Sequence, residues 1–205
     1  MNKIETIVFD LGGVLVDWDP AYVYLEVFDG DRQKVDWFLN NICTHDWNVE
    51  QDAGRPLKAA TDLLVDKYPQ YEAWIRIFYD RWEDMLGGPI HETVRLLDQL
   101  KINNKHRLYA LTNWSSETFP VALQRYDFLK HFEGILVSGE EKTRKPFGKI
   151  YEILIDRYQI DPFKSVFIDD NYENIVAAEK SNMTGIHYKN TQQLKDALIN
   201  LGVQF

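Results

Sequence analysis

Short β-branched and aromatic runs recur along the chain at wide spacing. They occur at residues 4–9 (Ile-Glu-Thr-Ile-Val-Phe), 108–112 (Leu-Tyr-Ala-Leu-Thr), 134–138 (Gly-Ile-Leu-Val-Ser), 165–169 (Ser-Val-Phe-Ile-Asp) and 185–188 (Gly-Ile-His-Tyr). Runs of this length and composition predict strands buried on both faces of a parallel sheet. Between them the apolar period lengthens to that of a helix. Ile90, Val94, Leu97 and Leu100 share one face, as do Ile150, Ile153, Leu154 and Tyr158, and Leu194, Ala197, Leu198 and Leu201. Pro146 stands where a first helical turn begins. From residue 90 onward strand and helix alternate. That order predicts an α/β fold, a Rossmann-like three-layer sandwich around a parallel sheet.

Residues 20–88 break the alternation, and no strand-like run is visible there. Asp19-Pro20 reads as a cap followed by a first-turn proline. Helical stretches follow at about 20–28, 31–43, 56–68 and 70–86, and Gly87-Gly88-Pro89 ends the block. The expected organisation is an α/β core of residues 1–18 and 89–205, with residues 19–88 inserted as an α-helical cap. Trp37, Trp47, Trp74 and Trp82 lie in the insertion and read as the core of a small bundle. Trp47, with His45 and Asp52 beside it in sequence, is the candidate substrate-facing group.

Composition narrows the function. Of 205 residues, 45% are hydrophobic and 27% charged, values of an ordinary globular domain. No apolar run approaches the roughly 20 residues that span a bilayer, so no membrane association is expected. The opening stretch through Phe9 carries no basic leader pattern. A single cysteine, Cys43, excludes an internal disulfide and a cysteine metal cluster and fits a reducing, cytoplasmic setting. With 32 acids against 23 bases the net charge is −9, which disfavours nucleic acid as a partner. A small phosphorylated metabolite remains compatible, because one local cation overrides the global field. No pattern indicates a protein partner.

The polar residues at the predicted strand ends carry the chemistry. Open α/β sheets bind ligands beyond the carboxyl ends of their strands. Those ends hold Asp10, Thr112-Asn113, Lys142-Thr143-Arg144-Lys145 and Asp169-Asp170. Three carboxylates at one edge repel one another unless a hard cation neutralises them, and an all-oxygen donor set points to Mg²⁺ over zinc. Mg²⁺ typically recruits a substrate phosphate as well. Thr112, Asn113 and Lys145 supply donors and positive charge for phosphoryl oxygens, and Asp10 is a candidate nucleophile forming an aspartyl phosphate. Gly12-Gly13 lacks the Gly-Lys-Ser/Thr ending of a P-loop.

Phe9-Asp10-Leu11-Gly12-Gly13-Val14-Leu15-Val16-Asp17, Leu111-Thr112-Asn113, Arg144-Lys145-Pro146 and Phe167-Ile168-Asp169-Asp170-Asn171-Tyr172-Glu173-Asn174 resemble, in order and spacing, the four motifs of the haloacid dehalogenase superfamily. The resemblance covers nearly the whole chain, and the insertion after the first motif resembles the superfamily's small α-helical cap. Within the superfamily the chain is most similar to sugar-phosphate phosphatases of the α-glucose-1-phosphate phosphatase kind. The resemblance implies that Asp10 is nucleophile and metal ligand, and that Thr112 supplies the second-motif hydroxyl beside Asn113. It implies that the Gly12 carbonyl, Asp169 and Asp170 complete an Mg²⁺ site. It makes Lys145 the third-motif lysine, with Lys142 the alternative.

One position departs from that pattern. Phosphatases of the superfamily typically carry a second Asp two residues after the nucleophile, where it protonates the leaving group and later activates water. Here that position is Gly12. General acid–base assistance is worth about 10²–10⁴-fold, so another residue is expected to substitute or leaving groups must be good. Asp17, His45 and Asp52 are the candidate substitutes, while His91, His106, His131 and His187 show no ligand spacing and read as structural. The second Asp is also missing from the metal-independent 2-haloacid dehalogenases, but their fourth motif does not carry the Asp-Asp pair. A Mg²⁺-dependent phosphatase is therefore the leading reading. The alternatives are a dehalogenase-like hydrolase and a catalytically weak binding or regulatory member of the fold.

Overall fold

A computed structural model describes residues 3–205. Five parallel strands build the sheet: β1 (Thr6–Phe9), β4 (Arg107–Thr112), β5 (Gly134–Val137), β6 (Ser165–Asp169) and β7 (Thr184–His187). Their order is β5-β4-β1-β6-β7. The chain enters at the centre, moves out to β5 and then crosses back to β6. The direction of winding reverses between β1 and β6, and such a reversal opens a crevice at the carboxyl ends of the strands.

Period-2 alternation explains why these strands read as continuous apolar runs. Ile7 and Phe9 of β1, Leu108 and Ala110 of β4, and Val166 and Ile168 of β6 join one apolar cluster. Val8, Tyr109, Leu111 and Phe167 point to the other face and join a second cluster. Helices cover both faces. The first cluster continues into α6 (His91–Asn103), through Leu96, Leu97 and Leu100, and into α11 (Thr191–Asn200), through Leu194 and Leu198. The second is completed by Ile150, Tyr151 and Leu154 of α9 (Gly148–Tyr158) and by Ile175 and Ala178 of α10 (Tyr172–Lys180). The result is the α/β Rossmann-like sandwich that the alternation predicts.

The inserted helices form a cap. They are α1 (Ala21–Val27), α2 (Arg32–Asn41), α3 (His45–Asn48), α4 (Leu57–Lys67) and α5 (Glu72–Asp80). Their starts follow local polar chemistry. The Asp19 carboxylate accepts the Ala21 N–H at 2.8 Å, Asp31 accepts that of Lys34 at 3.0 Å, and Thr44 Oγ1 accepts that of Trp47 at 3.2 Å. Aromatic side chains fill the middle. Tyr24 packs on Phe38 at 4.8 Å between centroids, and Trp74 meets Phe28 edge-on at 4.9 Å.

Two expectations need correction. The stretch 70–86 is not one helix: a 3₁₀ turn at Pro69–Tyr71 precedes α5, and another at Trp82–Met85 follows it. The Gly-Gly-Pro segment does not simply end the helical block. Leu86–Pro89 is strand β3, antiparallel to β2 (Val16–Trp18). This two-stranded ribbon joins cap and core. Between β4 and β5 lies α7 (Phe119–Arg125), and after β5 comes the short α8 (Ser138–Glu141). Among the described residues, no helix is long and apolar enough to cross a membrane.

Candidate active site

Asp10 follows β1 directly, in the crevice where the winding reverses. Its Oδ1 accepts the Leu11 N–H at 2.7 Å and lies 2.9 Å from Lys145 Nζ. The lysine is fully buried, donates to Asp169 Oδ2 at 2.6 Å and to the Leu111 carbonyl at 3.0 Å, and so bridges the ends of β1, β4 and β6. Asp169 ends β6, and its carboxylate also accepts from the Asn171 N–H and from Asn174 Nδ2. The reach of Lys145 depends on its own backbone, which Asn113 clamps from both sides. Asn113 Oδ1 accepts the Lys145 N–H at 2.9 Å, and Asn113 Nδ2 donates to the Lys145 carbonyl at 3.0 Å. Lys142 is exposed on the surface, and Lys145 is the lysine that meets the carboxylates.

Electrostatics follow from this crowding. Burial, then repulsion from Asp169, holds the Asp10 carboxyl well above the usual carboxylate range, against the pull of Lys145. Burial works against the Lys145 ammonium, but Asp10 and Asp169 outweigh it and keep its pKa raised. Asp170 is exposed, and its pKa rises through partial desolvation and the charge of Asp169. Oxygen atoms of Asp10, Asp169 and Asp170 all lie within 4.8 Å of one another. One lysine against three carboxylates leaves two negative charges, and the donors are all oxygen. The residues fit a hard divalent cation such as Mg²⁺. Gly13 makes the close approach of Asp170 possible. Its φ is +69°, and a Cβ there would stand 2.1 Å from Asp170 Oδ2.

Thr112 is buried, and its Oγ1 has no hydrogen-bond partner among the described residues. A buried hydroxyl without a partner is a rarity and is available to an incoming oxygen. Beside it opens a cleft at the junction of cap and core, a place where small-molecule sites commonly form. Gly12, Asn113 and Trp114 line it from the core side, and Asp52, Tyr79 and Trp82 from the cap side.

The remaining sequence candidates separate clearly. Asp52 lines the cleft. Trp47 does not: its ring packs on Phe78 at 5.1 Å and Tyr79 at 5.3 Å, and its indole N–H donates to the Ala60 carbonyl, so it serves the cap interior. His45 is exposed at the first turn of α3, and it too is absent from the cleft lining. Asp17 accepts from the Tyr22 hydroxyl at 2.6 Å on the β2–β3 ribbon. The aromatic walls are instead Trp18, Trp82 and Trp114, the last two in contact at 5.6 Å across the cap–core junction. Trp18 and Trp114 flank the first and second motifs in sequence, and that adjacency was the available signal for them.

A family model for haloacid dehalogenase-like hydrolases matches residues 4–182. The chain belongs to the haloacid dehalogenase-like hydrolases. It is an enzyme of hydrolytic type. A sesquiterpene phosphatase of Aspergillus oryzae is 30% identical over 197 residues, covering 91% of this chain and 90% of its own. A phosphorylated-carbohydrate phosphatase of Thermotoga maritima is 21% identical, over 90% of this chain and 84% of its own. In fold, the chain is similar to a family enzyme of Bacteroides thetaiotaomicron solved in complex with magnesium and inorganic phosphate. That likeness has a TM-score of 0.67 at 22% identity and covers 91% of this chain and 94% of that one.

Proposed function

We propose that the chain is a Mg²⁺-dependent phosphatase of small phosphomonoesters that works through an aspartyl phosphate on Asp10. The observation that carries this reading is the convergence of Asp10, Asp169 and Asp170 around a fully buried Lys145. Residues 1–18 and 89–205 act as the catalytic core and residues 19–88 as the cap that excludes water from it. Asp10, Asp169, Asp170 and the Gly12 carbonyl would hold Mg²⁺, which would supply charge neutralisation at the phosphoryl oxygens. Asp10 attacks phosphorus, and the hydrogen bond from the Leu11 N–H together with Lys145 fixes the direction of its carboxylate. Lys145 and the free hydroxyl of Thr112 stabilise charge on the transferring group. Asn113 keeps Lys145 in register through its two backbone bonds.

Phosphorylated carbohydrates and terpenyl phosphates are two of the substrate classes that the relatives' names give, beside phosphoglycolate and pyrophosphate. The three tryptophans of the cleft suit either the apolar face of a sugar or a hydrocarbon skeleton. Cytoplasmic action fits the single buried free thiol of Cys43.

The test is phosphate release from sugar, terpenyl and aryl phosphates with Mg²⁺ or with EDTA, for wild type beside Asp10→Asn. Mg²⁺-dependent release that disappears in the variant is the expected result. Wild-type release by Asp10→Asn overturns the mechanism, and chelator-indifferent halide release from a haloacid favours the dehalogenase-like alternative.

A further inference from the structure

We propose that Asp52, a cap residue, performs the proton transfer that Gly12 cannot, giving a proton to the leaving-group oxygen and afterwards taking one from the attacking water. The proposal rests on the phosphatase reading and adds the residue that reading lacks.

Position 12 comes first. A Cβ built on Gly12 meets no atom within 4 Å, and its φ lies outside the left-handed region. Neither crowding nor backbone conformation demands glycine there, in contrast to Gly13 next to it. The missing side chain therefore leaves space in the cleft. Asp52, a cap residue, lines the same cleft, as does Asn113 of the core. Of the three residues able to stand in for an acid at position 12, Asp52 alone lines that cleft.

The loop bearing Asp52 is held firmly. The Gln51 side chain is buried, donates to the Trp47 carbonyl at 3.0 Å and to the Tyr79 hydroxyl, and accepts from Arg55 Nε at 2.7 Å. Core segments grip the other side. Arg144 lies 3.7 Å from Glu50, and Gly54 at φ +92° sits so close that a Cβ would meet the Gly139 carbonyl at 3.2 Å. Inside this fixed loop the Asp52 carboxyl makes no hydrogen bond among the described residues. It caps no turn N–H, the usual work of an Asp beside a glycine turn. Desolvation pushes the carboxyl up to about 7, against the opposing charges of Arg144 and Lys145. Tyr79, on the cap side of the same cleft, feels its charge in turn. A carboxyl poised near neutrality serves as acid in one step and base in the next.

The balance closes. As the bond from Asp10 to phosphorus forms, the ester P–O bond breaks and its electron pair stays on oxygen. That oxygen takes the Asp52 proton and leaves as the alcohol. Water then attacks phosphorus, gives its proton to the Asp52 carboxylate, and releases inorganic phosphate and the Asp10 carboxylate.

The experiment compares kcat/KM for alkyl and nitrophenyl phosphates in wild type, Asp52→Asn, and Asp52→Asn with Gly12→Asp added. The loss in Asp52→Asn should be about 10²–10⁴-fold on alkyl esters and far smaller on the aryl ester, whose leaving group needs little help. The aryl ester should also give a burst of nitrophenol, because the phosphoenzyme outlives its formation. Adding Gly12→Asp should recover alkyl turnover. Equal losses on both ester classes, or no loss at all, overturn this proposal and leave the phosphatase reading standing. A wild type inert toward every ester overturns both.

Discussion

The carboxyls of Asp10 and Asp52 are both lifted above their ordinary range, for reasons that lead to different behaviour. Asp10 is crowded by other carboxylates and held by Lys145, whereas Asp52 is desolvated with no direct partner. The stability consequence for Asp52 has a definite sign. Its folded pKa of about 7 exceeds its ordinary 3.8, so the folded protein binds the proton more tightly. The contribution is fully favourable below the ordinary value and is lost as pH rises through the folded one. A shift of this size is worth on the order of 4 kcal/mol. Asp52→Asn, which cannot ionise, should gain stability relative to wild type as pH climbs from about 4 to 8. Paired urea unfolding curves across that range measure the difference, and a constant gap between the two proteins refutes the ionisation assigned to Asp52. Gly13→Ala tests the opposite case, a glycine that geometry does require. Its Cβ would occupy the space of Asp170 Oδ2. Mg²⁺ affinity measured by calorimetry should fall with the displaced carboxylate, whereas unchanged affinity removes Asp170 from the metal site.

Among the elements, legibility in the sequence followed burial. The five sheet strands lie between two apolar clusters, and burial on both faces writes a continuous apolar run that needs no tertiary knowledge to read. The β2–β3 ribbon wrote no such run. Its buried residues, Val16, Leu86 and Gly88, form no continuous apolar run, and the second strand is Leu-Gly-Gly-Pro, a pattern that reads as a terminator. Gly87 is there for close approach, and Gly88 for a backbone φ of +115°. A Cβ on Gly87 would stand 2.1 Å from Asp17 Oδ2 and 2.9 Å from the Tyr22 ring. Gly87→Ala should therefore cost about 1–3 kcal/mol, lowering the melting temperature by several degrees in a chain of this length. Gly148→Ala is the control, since a Cβ there meets nothing within 4 Å. The same division holds for the site. Asp10, Thr112 and Asp169 stand at strand ends and Lys145 in the loop that follows β5 and α8, and all four could be listed from the chain alone. Choosing Asp52 over Asp17 and His45 required knowing how the cap loop docks on residues 139–145, which no local pattern encodes.

At the scale of the whole molecule, apolar contact is continuous across the junction between cap and sheet. One cluster runs from Ile7 and Phe9 of the central strand through Trp114 and Trp82 to Tyr24, Phe38 and Phe78 inside the cap. Against this cohesion stands a net charge of −9, part of it concentrated where Asp10, Asp169 and Asp170 meet. A divalent cation bound there relieves local repulsion and stabilises the native state by mass action, about 2.7 kcal/mol at a hundredfold excess over Kd. Thermal unfolding in Mg²⁺ should accordingly shift upward by roughly 5–10 °C relative to EDTA. Protons compete for the same oxygens because the Asp10 and Asp170 pKa values are both raised. The Mg²⁺ shift should thus shrink as pH falls toward 5, and Asp170→Asn should reduce it at every pH. Scanning calorimetry with and without Mg²⁺ at several pH values decides the matter. A shift that is independent of pH and survives Asp170→Asn would mean that the cation binds elsewhere on the acidic surface.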